Sequence, residues 1–408
     1  MDRLTLREYE RRSAVELTPG QLAQLRSLTD SISIAPSVVA PGLYDLTAGS
    51  YVGAMRLDGL DLVVEPKIPM DRLLFMLSYA MGDVRWLKSF ELTTAEDLPE
   101  AIVPGFVHQM QLALARGAHH GYRSVDEASL VVRGRWRVSD QMSRRFGVAP
   151  PVEVSYDDFT VDVDINRVLL AATRRLLRMR LRHQSSRTGL RGVEARLEGV
   201  TPMDYNSRSA PSVIFTRLTE RFRPAYELAR LIIASTSFDL GHGEAPASAF
   251  LVNMNKAFED FVVAALRDAL GLSRRELVQG AQGHALYLDQ ERQVKLEPDL
   301  SVWRGGVPVW VGDTKYKRLL PADFPNADIY QATAYAIATG LDGALLIYAS
   351  GSGQPSSATV VNVGKRIETV TVDLAGSPEE ILASIGSLAR RIQAEMSRPR
   401  RCLPVSAA

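Results

Sequence analysis

Two strand-forming runs, 294–303 and 307–313, meet at Gly305-Gly306, and each carries an acidic residue toward the end away from the turn. Val, Leu and Trp on both arms with a Gly-Gly pair between them read as a tight β-hairpin. The first arm contains Glu297-Pro298-Asp299, and the second ends in Gly312-Asp313-Thr314-Lys315. A helical pattern over 253–270 and a strand near 277–288 precede the hairpin. A helix over 325–339, a strand at 342–349, the loop Ser350–Ser357 and further strands follow it. The last helix, 378–396, sets Ile381, Leu382, Ile385, Leu388 and Ile392 on one face. Helix, three strands, helix and strand in that order predict an α/β sandwich, a mixed central sheet flanked by helices.

Register decides whether the two acids meet. With a two-residue Gly305-Gly306 loop and regular pairing, Asp299 faces Gly312, and Asp313 falls on the opposite face. A three-residue loop, Arg304-Gly305-Gly306 with Gly in the left-handed region and a bulge, restores one face for both aspartates. An odd loop or a bulge is therefore required if Asp299 and Asp313 act together.

Together they would suit phosphodiester hydrolysis. That reaction needs an activated water and compensation for added negative charge. Mg²⁺ supplies both and prefers oxygen ligands. Asp299 and Asp313 are the candidate metal ligands, with the carbonyl of Thr314 as a further one. Lys315, two residues from Asp313 on the same strand face, can orient or deprotonate the water or balance phosphate charge. Glu259 lies on the 253–270 helix at the edge of the stripe formed by Phe258, Phe261, Val262 and Leu266. Gln331 and Tyr335 are four apart on the following helix and share a face, placed to touch a phosphate or brace Lys315.

The upstream chain reads differently. Tyr51–Leu57 and Leu60–Pro66 flank Asp58-Gly59, a hairpin signal, with Leu60, Leu62 and Val64 on a buried face. Helices are expected at 70–80 and 99–117, and a strand at 130–138 with Val131, Val132, Trp136 and Val138. Asp164 reads as the N-cap of a helix over 164–183, whose Arg174, Arg175, Arg178, Arg180 and Arg182 form either a phosphate-facing surface or a solvated face. A second helix is expected from Arg217 to Ala234, and 185–212, rich in Ser, Gly and Pro, reads as loop. The expected domains are a strand-rich α+β region, 1–160, a helical junction, 161–250, and an α/β unit, 251–408.

Composition narrows the class. The chain has 408 residues, a net charge of +1, 46% hydrophobic and 23% charged residues, the profile of a soluble globular protein of two or three domains. Near-neutral charge argues against coating DNA by charge alone. The single cysteine, Cys402, excludes a disulfide framework and a cysteine zinc site. The charged start lacks the apolar core of a signal peptide and no apolar run reaches membrane length, so the expected location is cytoplasmic. Asp162-x-Asp164-x-Asn166 lacks the glycine and closing Glu of a calcium loop and reads as a polar turn. Gly364-Lys365 lacks the upstream glycine of a phosphate-binding loop, so nucleotide hydrolysis by this chain is not expected.

The order Glu259, Pro298-Asp299, Asp313-x-Lys315 and Gln331-x-x-x-Tyr335 resembles the PD-(D/E)xK nuclease superfamily, and the last pair is similar to its RecB-like branch. Met254–Val262, Asp313-Thr314-Lys315-Tyr316-Lys317 and Tyr330-Gln331 resemble the McrC family, the nuclease subunits of McrBC-type modification-dependent restriction systems. Tyr51-Val52-Gly53, Pro66-Lys67-Ile68, Arg133-Gly134-Arg135 and Tyr156-Asp157-Asp158-Phe159-Thr160 through Asn166-Arg167 match the same family in order. The resemblance implies a C-terminal Mg²⁺-dependent DNA endonuclease and an N-terminal domain that docks on a hexameric McrB-like AAA+ GTPase, entering its pore and stimulating hydrolysis. The partner would recognise modified cytosine in DNA. Asp299 and Asp313 would bind metal, Lys315 would be the catalytic lysine and Glu259 the helix carboxylate. A dimer bridging two rings would let both strands be cut. Two rival readings are a non-catalytic activator of the GTPase and a stand-alone RecB-like nuclease.

Overall fold

The computed structural model describes residues 2–26, 31–80, 98–206, 209–237, 248–280, 284–319, 326–351 and 356–397. Cys402, and the part of the expected 350–357 loop at 352–355, lie outside the described residues. Among the described residues the chain is a mixed α+β protein with ten α-helices and five sheets.

The chain begins with β1 (Asp2–Arg7), β2 (Arg11–Val15), α1 (Pro19–Arg26), β3 (Ile32–Pro36), β4 (Tyr44–Ala48), β5 (Tyr51–Leu57) and β6 (Leu60–Glu65). The Asp58-Gly59 hairpin forms with Leu57 opposite Leu60 and Gly59 at φ +75. Leu60, Leu62 and Val64 are buried, as their alternation predicts. The helices α2 (Met70–Ala80) and α3 (Leu98–Ala113) follow.

Next comes an antiparallel arm: β7 (Gly121–Ser129), β8 (Arg135–Trp136), α4 (Val138–Arg145) and β9 (Val152–Thr160). The expected strand at 130–138 is largely wrong. Gly134 turns the chain at φ +63, where a side chain would strike Ser155 O at 2.4 Å, so pairing is confined to Arg135 and Trp136. The ladder is carried by β7 and β9, paired from Gly121–Thr160 to Ser129–Val152. Val131, Val132, Trp136 and Val138 are exposed rather than buried.

A helical layer follows: α5 (Asp164–Arg178), α6 (Gln184–Ala195) and α7 (Arg223–Ser235). Val163, not Asp164, is the N-cap of α5, and the helix ends at Arg178 rather than 183. The loop reading of 185–212 fails over α6. Glu100, from α3, accepts hydrogen bonds from the backbone N–H groups of Arg182 and His183 and from Ser186 Oγ. The carboxylate fixes the two residues that precede α6 and sits beside the positive N-terminal end of the helix, support that the local sequence does not announce. The next helix starts at Arg223, after a 3₁₀ turn over Glu220–Phe222, not at Arg217. Of the arginine row, Arg175 is buried and donates to Ile233 O, Thr236 O, Thr236 Oγ1 and Asp204 Oδ1, so it fastens the interior. Arg174 pairs with Glu194 and Arg180 with Asp61. Asp162 accepts from Arg167 and Thr201 at the expected polar turn.

The chain then returns to its first sheet through β10 (Thr236–Ser237) and β11 (Ser248–Asn253), giving the order β1-β6-β5-β11-β10. Gly53 sits at φ +140 against Phe250 of β11, a close approach open to glycine alone. From β11 the chain enters α8 (Met254–Leu270) without a break. Asn253 caps it through Lys256 N, and Gly271 closes it at φ +65.

The remaining elements are β12 (Leu277–Val278), β13 (Leu286–Tyr287), β14 (Lys295–Leu296), β15 (Leu300–Arg304), β16 (Val307–Leu319), α9 (Asn326–Ala338), β17 (Gly343–Gly351), β18 (Ser357–Thr359), β19 (Arg366–Thr371) and α10 (Pro378–Met396). Six of these strands form a mixed sheet ordered β12-β15-β16-β17-β19-β18. The β16-β17 and β17-β19 pairs are parallel, and the others are antiparallel. Leu345, Leu346, Ile347 and Tyr348 are all buried, as expected of a central strand covered on both faces. Trp310, Tyr316, Leu345 and Ile347 share a core with α8 and α10, while Val311, Leu346 and Tyr348 pack with Tyr335 of α9. Ser377 and Glu380 form a capping box at the start of α10.

Candidate active site

The hairpin resolves the register question in an unexpected place. Arg304 pairs with Val307 across a two-residue turn, with Gly305 and Gly306 at φ +59 and +77. The turn alone would separate the aspartates. One extra residue, Val309, is absorbed as a bulge: Trp303 pairs with Pro308, but Val302 pairs with Trp310 and Leu300 with Gly312. The shift brings Asp299 beside Asp313, and its backbone N–H donates to Asp313 Oδ1 at 3.3 Å.

Thr314 clamps the other aspartate. Its N–H and hydroxyl donate to Asp299 Oδ2 at 2.8 and 2.7 Å. The N–H and C=O of one residue leave a strand on the same side, so the Thr314 carbonyl also points toward Asp299. Lys315 Nζ lies 2.5 Å from Asp313 Oδ2 and donates to Gln331 Oε1 at 2.8 Å. Gln331 Nε2 donates to the Tyr335 hydroxyl at 2.7 Å, and that hydroxyl donates to Glu297 O at 3.2 Å. A continuous chain thus runs from Asp313 through the lysine to α9 and back to the segment between β14 and β15 that carries Asp299.

Glu259 faces the same place from α8. It accepts from Lys256 Nζ at 3.0 Å and from Gln279 Nε2 at 2.8 Å. Burial raises its pKa, and the charge of Asp299 adds to the rise. Gln279 also reaches Asp260, and its place just after β12 carried no signal in the sequence. Asp328 is a second omission. It lies on α9 at i relative to Gln331 at i+3 and Tyr335 at i+7, a spacing that marks one helix face.

The electrostatics are those of a site short of positive charge. Burial raises the pKa of Asp299, and repulsion from Asp313 raises it further. Burial likewise raises Asp313 against the pull of Lys315. Burial opposes the Lys315 charge, but Asp313, Asp328 and Asp299 together outweigh it, so the ammonium is held above its ordinary value. Asp313 is 1% exposed, and its Oδ2 makes no hydrogen bond of acceptable geometry despite the nearby ammonium. Among the described residues no three His, Cys, Asp or Glu side chains gather closely enough to hold a metal by themselves. Two carboxylates and a carbonyl nevertheless fit Mg²⁺, which commonly keeps several waters and takes one or two protein carboxylates.

Fold and site together define a multi-sheet α+β protein with a buried aspartate, Asp313, a half-buried one, Asp299, and a lysine gathered at a mixed six-stranded sheet. Residues 46–349 match the family described as McrBC 5-methylcytosine restriction system component, and the chain belongs to that family. A chain of the refined half-complex from the tetradecameric assembly of Thermococcus gammatolerans McrB AAA+ hexamers with bound McrC is similar in fold. It is 21% identical, with a TM-score of 0.60 over 96% of this chain and 100% of that one. The cryo-EM structure of the Thermococcus gammatolerans McrBC complex is 23% identical, with a TM-score of 0.42 over 67% and 89% of the two chains. No curated protein matches the sequence. Among the described residues no helix is long and apolar enough to cross a membrane.

Proposed function

We propose that this chain is the Mg²⁺-dependent DNA endonuclease subunit of a McrBC-like restriction system, with a PD-(D/E)xK site in its C-terminal half. The observation that carries the reading is the bulge at Val309, which sets Asp299 beside Asp313 with Lys315 two residues further along. Asp299, Asp313 and the Thr314 carbonyl would hold Mg²⁺, which when bound supplies water activation and charge neutralisation at the phosphate. Thr314 keeps Asp299 aimed inward. Lys315, held charged, donates to the water or a phosphate oxygen, which makes it a poor proton acceptor. Gln331 and Tyr335 fix the direction of its ammonium. Glu259 adds a nearby carboxylate on α8.

Recognition would come from elsewhere. The β7–β9 arm carries Tyr122, Leu130, Val131, Val132, Trp136, Met142, Phe146 and Phe159 in exposed positions, with Phe146 88% exposed. An apolar surface of this kind favours a protein partner. It supports docking on a hexameric AAA+ GTPase, in keeping with the McrB hexamers named for the similar structure. The partner would select modified cytosine in DNA, two copies of this chain would bridge two rings, and the complex would act in the cytoplasm. The test is DNA cleavage by wild type and Asp313→Ala with the partner, Mg²⁺ and GTP. Wild type should cut and the variant should not. Equal cutting overturns the assignment of Asp313, and GTPase stimulation with no cutting by either favours a subunit that only activates the GTPase.

A further inference from the structure

The cations on β16 continue past Lys315. Lys317 is two residues further along, where the pairing of β16 with β17 shifts register between Lys315 and Arg318, and its ammonium too reaches α9. Its Nζ lies 2.6 Å from Asp328 Oδ2, and the Tyr348 hydroxyl donates to the same oxygen at 2.6 Å. Tyr348 and Asp328 are buried, whereas the Lys317 side chain is 49% exposed. The ammonium also stands 5.9 Å above the Tyr348 ring. Asp328 acts on the charges of both Asp313 and Lys315, so this cluster and the aspartate pair are neighbours.

Three elements thus converge on one half-exposed lysine: β16 supplies it, α9 the carboxylate, and β17 the ring and hydroxyl. The pair is half-buried, with Asp328 inside and Lys317 at the surface, so its carboxylate is held from one side by the Tyr348 hydroxyl and from the other by the ammonium. What the arrangement does accomplish is to restrict a long, flexible side chain to one direction. An ammonium has three donors. Asp328 takes one, and the exposed half of the side chain leaves others toward solvent. Lys315 differs: its side chain is 22% exposed and engaged by Asp313 and Gln331, which suits work at the reacting centre.

We infer that Lys317 is a substrate-binding residue that contacts a DNA phosphate next to the one that would be cut at the Asp299–Asp313 site. This inference rests on the nuclease reading above and adds a binding residue to it. The division of labour is between Lys315 at the scissile phosphate and Lys317 at its neighbour, with Asp328 and Tyr348 holding Lys317 in place.

The experiment measures binding of a short DNA duplex to the full-length chain by fluorescence anisotropy across a salt series. Ca²⁺ replaces Mg²⁺, so that binding is read without cutting. Each phosphate contact contributes about 0.9 to the slope of log affinity against log salt. Lys317→Met is expected to flatten the slope by about that amount, and Lys317→Arg to retain it. An unchanged thermal midpoint for Lys317→Met establishes that its fold is intact. A wild-type slope in Lys317→Met, or no DNA binding by the wild-type chain, overturns the inference. The nuclease reading is judged separately by cleavage: if Asp313→Asn cuts as wild type does while Lys317→Met flattens the slope, the DNA contact stands and the catalytic assignment falls.

Discussion

Replacing Lys315 by Met isolates the charge balance of the candidate site, because the stem is kept and the ammonium removed. The Asp313 side chain is 2% exposed and that of Lys315 is 22%. At 2.5 Å and an effective dielectric of about 20, their gross attraction is about 6–7 kcal/mol. Desolvation of both ions cancels much of this. Removing one partner, however, leaves the burial of the other uncompensated, a loss of about 3–5 kcal/mol. Lys315→Met is therefore expected to destabilise the six-stranded sheet by about 3 kcal/mol at neutral pH. Burial already raises the Asp313 pKa, and loss of the lysine raises it further. A carboxyl raised in the folded state favours folding at low pH. Its penalty is absent below the ordinary value of about 3.9 and complete above the folded value. The loss should thus shrink as pH falls and be complete only above the raised value. Adding Asp313→Asn removes the orphaned charge and should restore most of the stability. Urea denaturation followed by the fluorescence of Trp303 and Trp310, both in the β15–β16 hairpin, reads the sheet once Trp86 and Trp136 are replaced by Phe. A loss under about 1 kcal/mol at neutral pH, or an equal loss at about pH 4.5 and 7.5, refutes the reasoning.

Asp162→Ala removes an acceptor for Arg167, Arg123 and Thr201 and should cost about 3 kcal/mol in denaturant unfolding. The Arg167 guanidinium beside Asp162 holds its carboxyl well below the usual range. The stability it contributes is full above the ordinary carboxylate value and lost as pH falls through the depressed one, so Asp162→Asn should flatten the acid limb of a stability–pH curve. Gly53→Ala would place a methyl 1.9 Å from Phe250 O and should weaken β5–β11 pairing by about 3 kcal/mol or more, read as faster amide exchange in both strands. Mg²⁺ should raise the thermal midpoint of wild type, by about 2.7 kcal/mol of stabilisation at a hundredfold excess over Kd, and leave Asp299→Asn and Asp313→Asn unmoved. Tyr122→Ser with Phe146→Ser should leave stability within about 0.5 kcal/mol and abolish co-purification with the AAA+ partner.

Elements with local signals were legible along the chain. Asn253 and Gly271 bound α8, the capping box at Ser377 starts α10, and Asp58-Gly59 turns β5 into β6, because each signal lies within a few residues of what it determines. Elements that depend on distant partners were not. The helix α6 begins just after the point where Glu100, some eighty residues upstream, accepts the N–H groups of Arg182 and His183. The run 130–138 looked like a buried strand because its apolar residues say nothing about what covers them. Of its neighbours, β9 does alternate, with Val152, Val154 and Tyr156 against Glu153, Ser155 and Asp157, whereas β7 carries no such pattern.

The candidate site divides the same way. By itself the sequence determined which groups are available: two aspartates on the arms of one hairpin, a lysine two residues on, and a Gln–Tyr pair at helical spacing. It also determined the condition they must meet, since strand periodicity allows the aspartates to share a face only with an odd loop or a bulge. Tertiary structure decided how that condition is met. Trp310 packs on the α8 and α10 side and donates to Glu395, while Val311 packs on the α9 side. Burying both residues on their proper faces requires the extra residue before them to be bulged out, and a bulge is settled by packing on two opposite faces at once. The same packing brought Gln279 to Glu259 and Asp328 to Lys317, contacts between elements that no spacing along one chain segment could announce.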